Sequence, residues 1–444
     1  MESFRKSAAT IAAAMLAFAA QAYDGAYDPN FGTGGQTWID VTSANPDVGS
    51  RLIQLPNGNF LAAGACSSVA CAAWLTPSGQ LAAGYGSAGA GTVWFSDFPG
   101  WPADTAGLND AMAFPDNRVA VAVGRTGSGA YLALLRANGA GLDPSVGNGA
   151  GYTSAPYYAR FMRLTADNKI IVVSEPIGQA NIIVSRYDST FHPDTTFGSG
   201  GSTTIGFANG NIVPNGMTLQ HDGKIVVIGV VYGSVPLLAI VRLTAGGVPD
   251  PNFGTQSDGR FSSDLGNTYD GSQGFDIVED AKNRLVFVGR AFTTHGSQWL
   301  VDRVLSGGAT DASFNGGLPR QFTIFSSLDT DYSQAWRVTL QSDHRIVVAG
   351  TMGREPIIGS NYNYYFAMAR LMDDGTLDDS WGIGGQSYGD MSTQGATATT
   401  DELRSMVLVP GGTLVGGYTQ VNSGEVRFSV TKMHVDLLFT NDFE

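Results

Sequence analysis

The sequence predicts an all-β fold: a closed ring of seven units, each with four short antiparallel strands. Three observations predict it. The composition favours turns and strands, one signature recurs about every sixty residues, and apolar runs fall in a fixed order between copies. Of 444 residues, 59 are glycine and only 14% are charged, while 43% are hydrophobic and 10% aromatic. A disordered acidic chain would lack that apolar content. Collagen would place glycine at every third position. A helical bundle would be rich in Ala, Glu, Lys and Leu with helical periodicity.

Taken from the start, residues 1–22 read as a secretory signal peptide. Arg5 and Lys6 give a basic start, Ala8 to Ala20 an apolar stretch, and Ala20-Gln21-Ala22 a small-x-small cleavage site. The alternative, an uncleaved membrane anchor, needs a longer apolar run. Export makes the expected location secreted or cell-surface. Removing these residues takes away Arg5, Lys6 and Glu2 and leaves 23 basic and 38 acidic residues, a net charge of −15. Such a charge argues against nucleic acid or an anionic membrane as partner, since both need basic patches. A soluble monomer is expected. Cys66 and Cys71 are the only cysteines, and after export a disulfide stapling one hairpin is expected.

The signature is an acidic residue, two variable residues, an aromatic and then glycines. It reads Asp28-Pro29-Asn30-Phe31-Gly32 near the start. It returns with Asp194 and Phe197, Asp250 and Phe253, Asp311 and Phe314, and Asp378 and Trp381. Degenerate copies centre on Tyr85 and Val146, so the intervals are 54, 61, 51, 56, 61 and 67 residues. Each copy also carries a polar turn and an apolar run, as in Asp222-Gly223-Lys224-Ile225-Val226-Val227-Ile228-Gly229. Four or five apolar residues bounded by turns mark a strand covered on both faces. Before that turn lies an alternating segment such as Met217 and Leu219, the mark of a half-buried strand. A third strand, such as Leu238–Leu243, precedes the next signature, and a fourth follows it, such as Thr37–Val41. One such sheet cannot bury both its faces. Seven stacked radially can, and ring closure removes the exposed ends. The prediction is therefore a seven-bladed β-propeller over residues 23–434.

The repeat D-x-x-F-G-x-G-G, followed by a D-G-K-I-V-V-x-G turn and strand and an apolar strand ending in Arg-Leu, resembles the delta-60 repeat of exported bacterial proteins. The resemblance covers all seven units and implies a β-propeller. It implies no catalytic residues.

Several positions invite a functional reading. Arg136, Arg186, Arg242, Arg303 and Arg370 end the strand before a signature, with Lys432 in the seventh slot. The signature Asp follows eight residues later in four units. These charges are expected to form ion pairs from blade to blade or to cap the glycine turn, each Asp accepting backbone N–H bonds in an Asx-turn. The signature aromatics are expected at blade interfaces. Aromatic clusters outside the repeat, Trp94, Phe98 and Trp101 in one and Tyr362, Tyr364 and Tyr365 in another, are the candidate ligand-binding residues, suited to stacking on sugars or peptides. Gly385-Gln386-Ser387-Tyr388-Gly389 matches the G-x-S-x-G pattern but lies in a β repeat, without the strand–elbow–helix a hydrolase needs. His221 and His344 fall in corresponding turns. Asp373, Asp374, Asp378 and Asp379 lack calcium-loop spacing. No metal or cofactor is expected. Residues 435–444 form a tail that reads either as a sorting tag or as a partial eighth signature. Together these readings point to an exported, non-enzymatic binding module for a protein or glycan. The alternatives are a secreted glycan-active enzyme, its site assembled from several blades, and a purely structural surface protein.

Overall fold

The computed structural model describes residues 25–39, 47–126, 129–176, 178, 180–208, 210–254, 256–263, 270–294, 296–322, 332–354, 363–389, 398–421 and 426–434. The segment read as a signal peptide, His295, Tyr362 and the tail lie outside them. The described chain is an all-β propeller of seven blades, each a four-stranded antiparallel sheet. Blade 1 is typical. Its inner strand, Asp47–Gln54, pairs with Phe60–Cys66, which pairs with Val69–Leu75, which pairs with the outer strand Thr92–Trp94. The inner strands of blades 2 to 7 are Thr105–Ala113, Tyr158–Leu164, Asn211–Leu219, Ser272–Glu279, Ser333–Leu340 and Ala398–Val409.

The repeat and the blade are out of phase. Each signature lies inside a blade, between its third and outer strands, so the first signature has no blade at its own end of the chain. Its strand, Gln36–Ile39, instead pairs with Val426–Met433 and becomes the outer strand of blade 7. That is how the ring closes. Lys432 Nζ lies 2.8 Å from Asp28 Oδ2, so the Asp that Lys432 lacks downstream is supplied from the other end of the chain. A parallel bridge between Tyr364 and Thr400 ties blade 6 to blade 7.

The blades form because their middle strands are apolar on both faces. Ile225–Tyr232 and Ala130–Leu135 are buried almost throughout, covered by the neighbouring blades. The turn after each inner strand needs a left-handed residue. Gly58, Asn117, Asn168, Gly223, Asn283, His344 and Gly411 all have φ between +59° and +87° there. His344 thus takes the position held by Gly223, whereas His221 stands two residues earlier in its own turn. The two histidines share a turn type but not a position in it.

The signatures join neighbouring blades. Phe31, Phe197, Phe253, Phe314 and Trp381 are each at most 1% exposed. An added Cβ on Gly79, Gly247, Gly308 or Gly375 would lie 2.6–3.1 Å from the ring of Phe31, Phe197, Phe253 or Phe314. Each ring therefore rests on a glycine turn of the next blade, which leaves no room for a side chain. Backbone bonds follow the same path, Gly198 N–H donating to Gly246 O at 2.8 Å and Gly254 N–H to Gly307 O at 3.0 Å.

The expected Asx-turns are present. Asp194, Asp250, Asp311 and Asp378 accept the N–H two residues on at 2.9–3.1 Å through Oδ1. Through Oδ2 they hold Arg186, Arg242, Arg303 and Arg370 of the same blade at 2.7–2.8 Å. These arginines stack over the signature rings at 4.4–5.8 Å. Arg186 and Arg303 also donate to carbonyls of the following blade, Ala245 O and Asp373 O. The signature Asp–Arg ion pairs thus lie within blades rather than from blade to blade, while Arg186 and Arg303 reach the next blade's backbone and Arg303 also pairs with Asp373 of that blade at 2.7 Å. In blade 2 the partner of Asp143 is Arg118, at 3.1 Å, rather than Arg136. Cys66 and Cys71 form the expected disulfide across a two-residue turn.

Candidate functional site

Seven inner strands surround a central channel, and each carries a β-bulge near its midpoint. The bulged residues are Ser50, Asn109, Arg160, Asn215, Phe275, Trp336 and Arg404. A bulge places an extra residue opposite one partner and re-aims its side chain. All seven bulged residues line a single cavity of about 460 Å³ in the channel. Arg337, Phe161 and Tyr158 line it as well.

Bulging frees backbone groups, and neighbouring blades satisfy them. Asn109 Nδ2 donates to Ala159 O and Asn215 Nδ2 to Gly274 O, both at 2.9 Å. Each acceptor is the residue just before the next blade's bulge. The residue after the bulge works in the other direction. Asp110 accepts the Met162 N–H at 2.7 Å, Asp276 that of Val338 at 3.1 Å, and Ser405 Oγ that of Leu52 at 3.0 Å. These bonds fix the spacing of the inner strands, so the channel wall is set before any ligand enters.

Four of the bulged residues, Arg160, Phe275, Trp336 and Arg404, are cationic or aromatic. Phe275 packs on Trp336 with ring centroids 4.3 Å apart, and the Arg404 guanidinium lies 4.6 Å from the Trp336 centroid. Arg337 is pulled down to about 10, first by burial and then by the like charges of Arg51, Arg163 and Arg404. Burial, with the charge of Arg51, lowers Arg163 too.

The aromatic residues expected to bind ligand lie elsewhere. Phe98 is buried in the core between blades 1 and 2. Trp101 is half-buried and packs edge-on against Phe95 at 5.1 Å and Tyr152 at 5.3 Å. Trp94, in the outer strand of blade 1, and Tyr364 and Tyr365, in the third strand of blade 6, are half-buried. None of these residues lines the channel cavity. Ser387 of the G-x-S-x-G match sits in the outer strand of blade 6 and donates to Gly25 O at 2.7 Å. Asp373 is an ion-pair hub, within 2.7 Å of both Arg284 and Arg303. No group of three or more metal-ligating side chains occurs among the described residues.

A second hollow of about 220 Å³ lies among the turns of blades 4, 5 and 6 and is lined by His221, Glu279 and His344. Glu279 accepts from Gln220 Nε2 at 2.6 Å and from the His221 N–H at 2.7 Å, with His221 Nδ1 2.6 Å away. Its carboxylate therefore clamps the turn of blade 4 to blade 5.

A β-propeller repeat family described as "Domain of unknown function (DUF5122) beta-propeller" matches residues 220–253 and 341–380. No curated protein matches the chain. Among solved structures, Drosophila Plexin A in complex with Semaphorin 1b is 8% identical, with 93% of this chain and 88% of that one covered and a TM-score of 0.46. A gluconolactonase from Xanthomonas campestris is 10% identical over 88% of this chain and 99% of its own, at a TM-score of 0.38. The polysaccharide lyase Uly1 is 9% identical over 74% and 90%, at 0.36. These likenesses do not bear on what the chain binds.

Proposed function

We propose that the protein is an exported binding module whose ligand site is the central channel. One observation carries the reading: seven independent bulges place their extra side chains in one cavity. A ring built only for stability has no need of five residue types over these seven positions. The signatures, which do serve stability, repeat nearly the same residues from blade to blade. At the bulges the backbone device recurs while the side chain changes: Ser, Asn, Arg, Asn, Phe, Trp, Arg. Regular geometry with irregular chemistry is what recognition of an asymmetric ligand requires. Tying the bulged strands to one another by hydrogen bonds lowers the ordering cost of binding.

The test is a panel of glycans and small metabolites read by thermal shift, because a ligand of the native state alone raises the melting temperature. Ser50→Trp, which puts an indole into the channel, is expected to abolish the shift given by any true ligand. A ligand that binds this variant undiminished would place the site elsewhere. Export is tested by expressing the gene with and without codons 2–22 and locating the product. The shortened chain is expected to stay inside the cell.

A further inference from the structure

The channel arginines are unevenly neutralised. Arg51 Nε lies 2.8 Å from one oxygen of Asp110, and Arg163 Nη1 lies 3.1 Å from the other, so two guanidinium groups share one carboxylate. Arg160 has Glu175 at 2.6 Å, and Arg404 pairs with Glu402. Arg337 makes no ion pair among the described residues. Its Nη1 donates to Trp336 O at 2.8 Å, and its buried Nε has no acceptor. Asp276 adds a favourable field at Arg337, but one of its oxygens accepts the Val338 N–H. This excess of guanidinium runs against a chain whose formal net charge is −14.

Packing holds Arg404 in place, together with Arg290 behind it. Arg290 lies over Phe275 at 5.8 Å, Phe275 over Trp336 at 4.3 Å, and Arg404 over Trp336 at 4.6 Å. The stack turns the flat faces of the guanidinium groups to the rings and leaves their N–H edges for other partners. In a channel walled by protein, water screens the mutual repulsion of Arg51, Arg163, Arg337 and Arg404 less than at an open surface. Against these four arginines stand three carboxylates, Asp110, Asp276 and Glu402, so the cluster is one negative charge short.

Resting on the channel reading above, we propose that the ligand carries an oxyanion, a carboxylate, sulfate or phosphate, that docks on Arg337 with Arg404 beside it in the cavity wall. A guanidinium fork matches two oxygens of such a group, and the anion supplies the missing negative charge. The experiment is calorimetric titration of the purified protein with galacturonate, its neutral methyl ester, sulfate and inorganic phosphate at fixed ionic strength. At least one anion is expected to bind, and the methyl ester is not. Binding of sulfate or phosphate alone identifies a free inorganic ion. Binding of galacturonate alone identifies an organic acid. Arg337→Gln is expected to weaken binding about ten- to hundredfold, the worth of one charged hydrogen-bonding partner. Arg337→Lys, which keeps the charge but not the fork, should fall between. Should Arg337→Gln fail to fold, Arg404→Gln carries the same expectation. The inference is overturned if the ester binds as well as the acid, if both glutamine variants bind as the parent does, or if no anion gives heat. The channel reading survives those results provided that Ser50→Trp still abolishes the thermal shift of a neutral ligand. Anion binding that persists in Ser50→Trp overturns both.

Discussion

Asp250 and Arg242 show what a repeated charge does in this molecule. Both are nearly without solvent contact, Asp250 at 1% and Arg242 at 3% exposed. The carboxylate serves its own turn through one oxygen and the guanidinium through the other. Removing one member of such a pair leaves a buried charge alone, so Asp250→Ala should lower stability by about 3–5 kcal/mol in denaturant titrations. Asp302, in the third strand of blade 5 (Gly296–Val304), is the opposite case. Among the described residues its carboxyl has one hydrogen bond, accepted from the Arg303 N–H at 2.7 Å, and burial pushes it up to about 7. A folded-state value above the ordinary 3.8 means that stability from this group is fully present at low pH and is lost as pH rises through about 7. Asp302→Asn should therefore raise the melting temperature at pH 8 and change it little near pH 4.

At the scale of the strand and turn, much of the blade is legible in the sequence. Apolar runs of four or five mark the middle strands, and in three blades Asp-Gly or Asp-Asn marks the turn before them. The hairpin disulfide follows from two cysteines with four residues between them. That cross-link closes a short loop, so reducing it, or making Cys66→Ser with Cys71→Ser, should lower stability by only about 2 kcal/mol. The channel was not legible in the same way, because the bulge leaves no residue type of its own. Its signal is positional. Ser50, Asn109, Arg160, Asn215, Phe275, Trp336 and Arg404 each stand seven residues before the second turn residue of their blade: Asn57, Asp116, Asp167, Asp222, Lys282, Asp343 and Gly411. Aligning the units on that turn brings these residues into one variable column. Reading for aromatic clusters instead leads to Phe98 and Trp101, where large rings fill the core between blades 1 and 2. Flat side chains suit packing as well as stacking, and only their surroundings tell the two apart.

For the whole ring, the interfaces between blades hold the structure together, and within blade 7 the two ends of the described chain pair in one sheet. Gly25 N–H donates to His434 O at 2.6 Å, and Gln36 to Ile39 run along Thr431 to Phe428. Deleting residues 1–39 removes the outer strand of blade 7, the buried Phe31 and the partner of Lys432 together. The shortened protein should lose its single cooperative thermal transition and become sensitive to protease at residues 426–433, whereas deleting residues 1–22 should leave the transition unchanged. Phe31→Ala alone, by emptying the seat on Gly79, should cost about 3–5 kcal/mol in chemical denaturation.

That clasp also sets the order in which the fold can be made. The strand at Gln36 leaves the ribosome early and must wait for Thr431, its partner nearly four hundred residues later. Joining points so far apart costs an unstructured chain about 5 kcal/mol of loop-closure entropy. The cost falls only as intervening blades stack and bring the ends together. Blades form from contacts close in sequence and can assemble as the chain emerges, whereas closure is the contact of highest order and comes last. Until then the growing arc carries a bare strand edge at Val426–Met433 and an uncovered sheet face at blade 1, the two surfaces most open to mispairing with another copy.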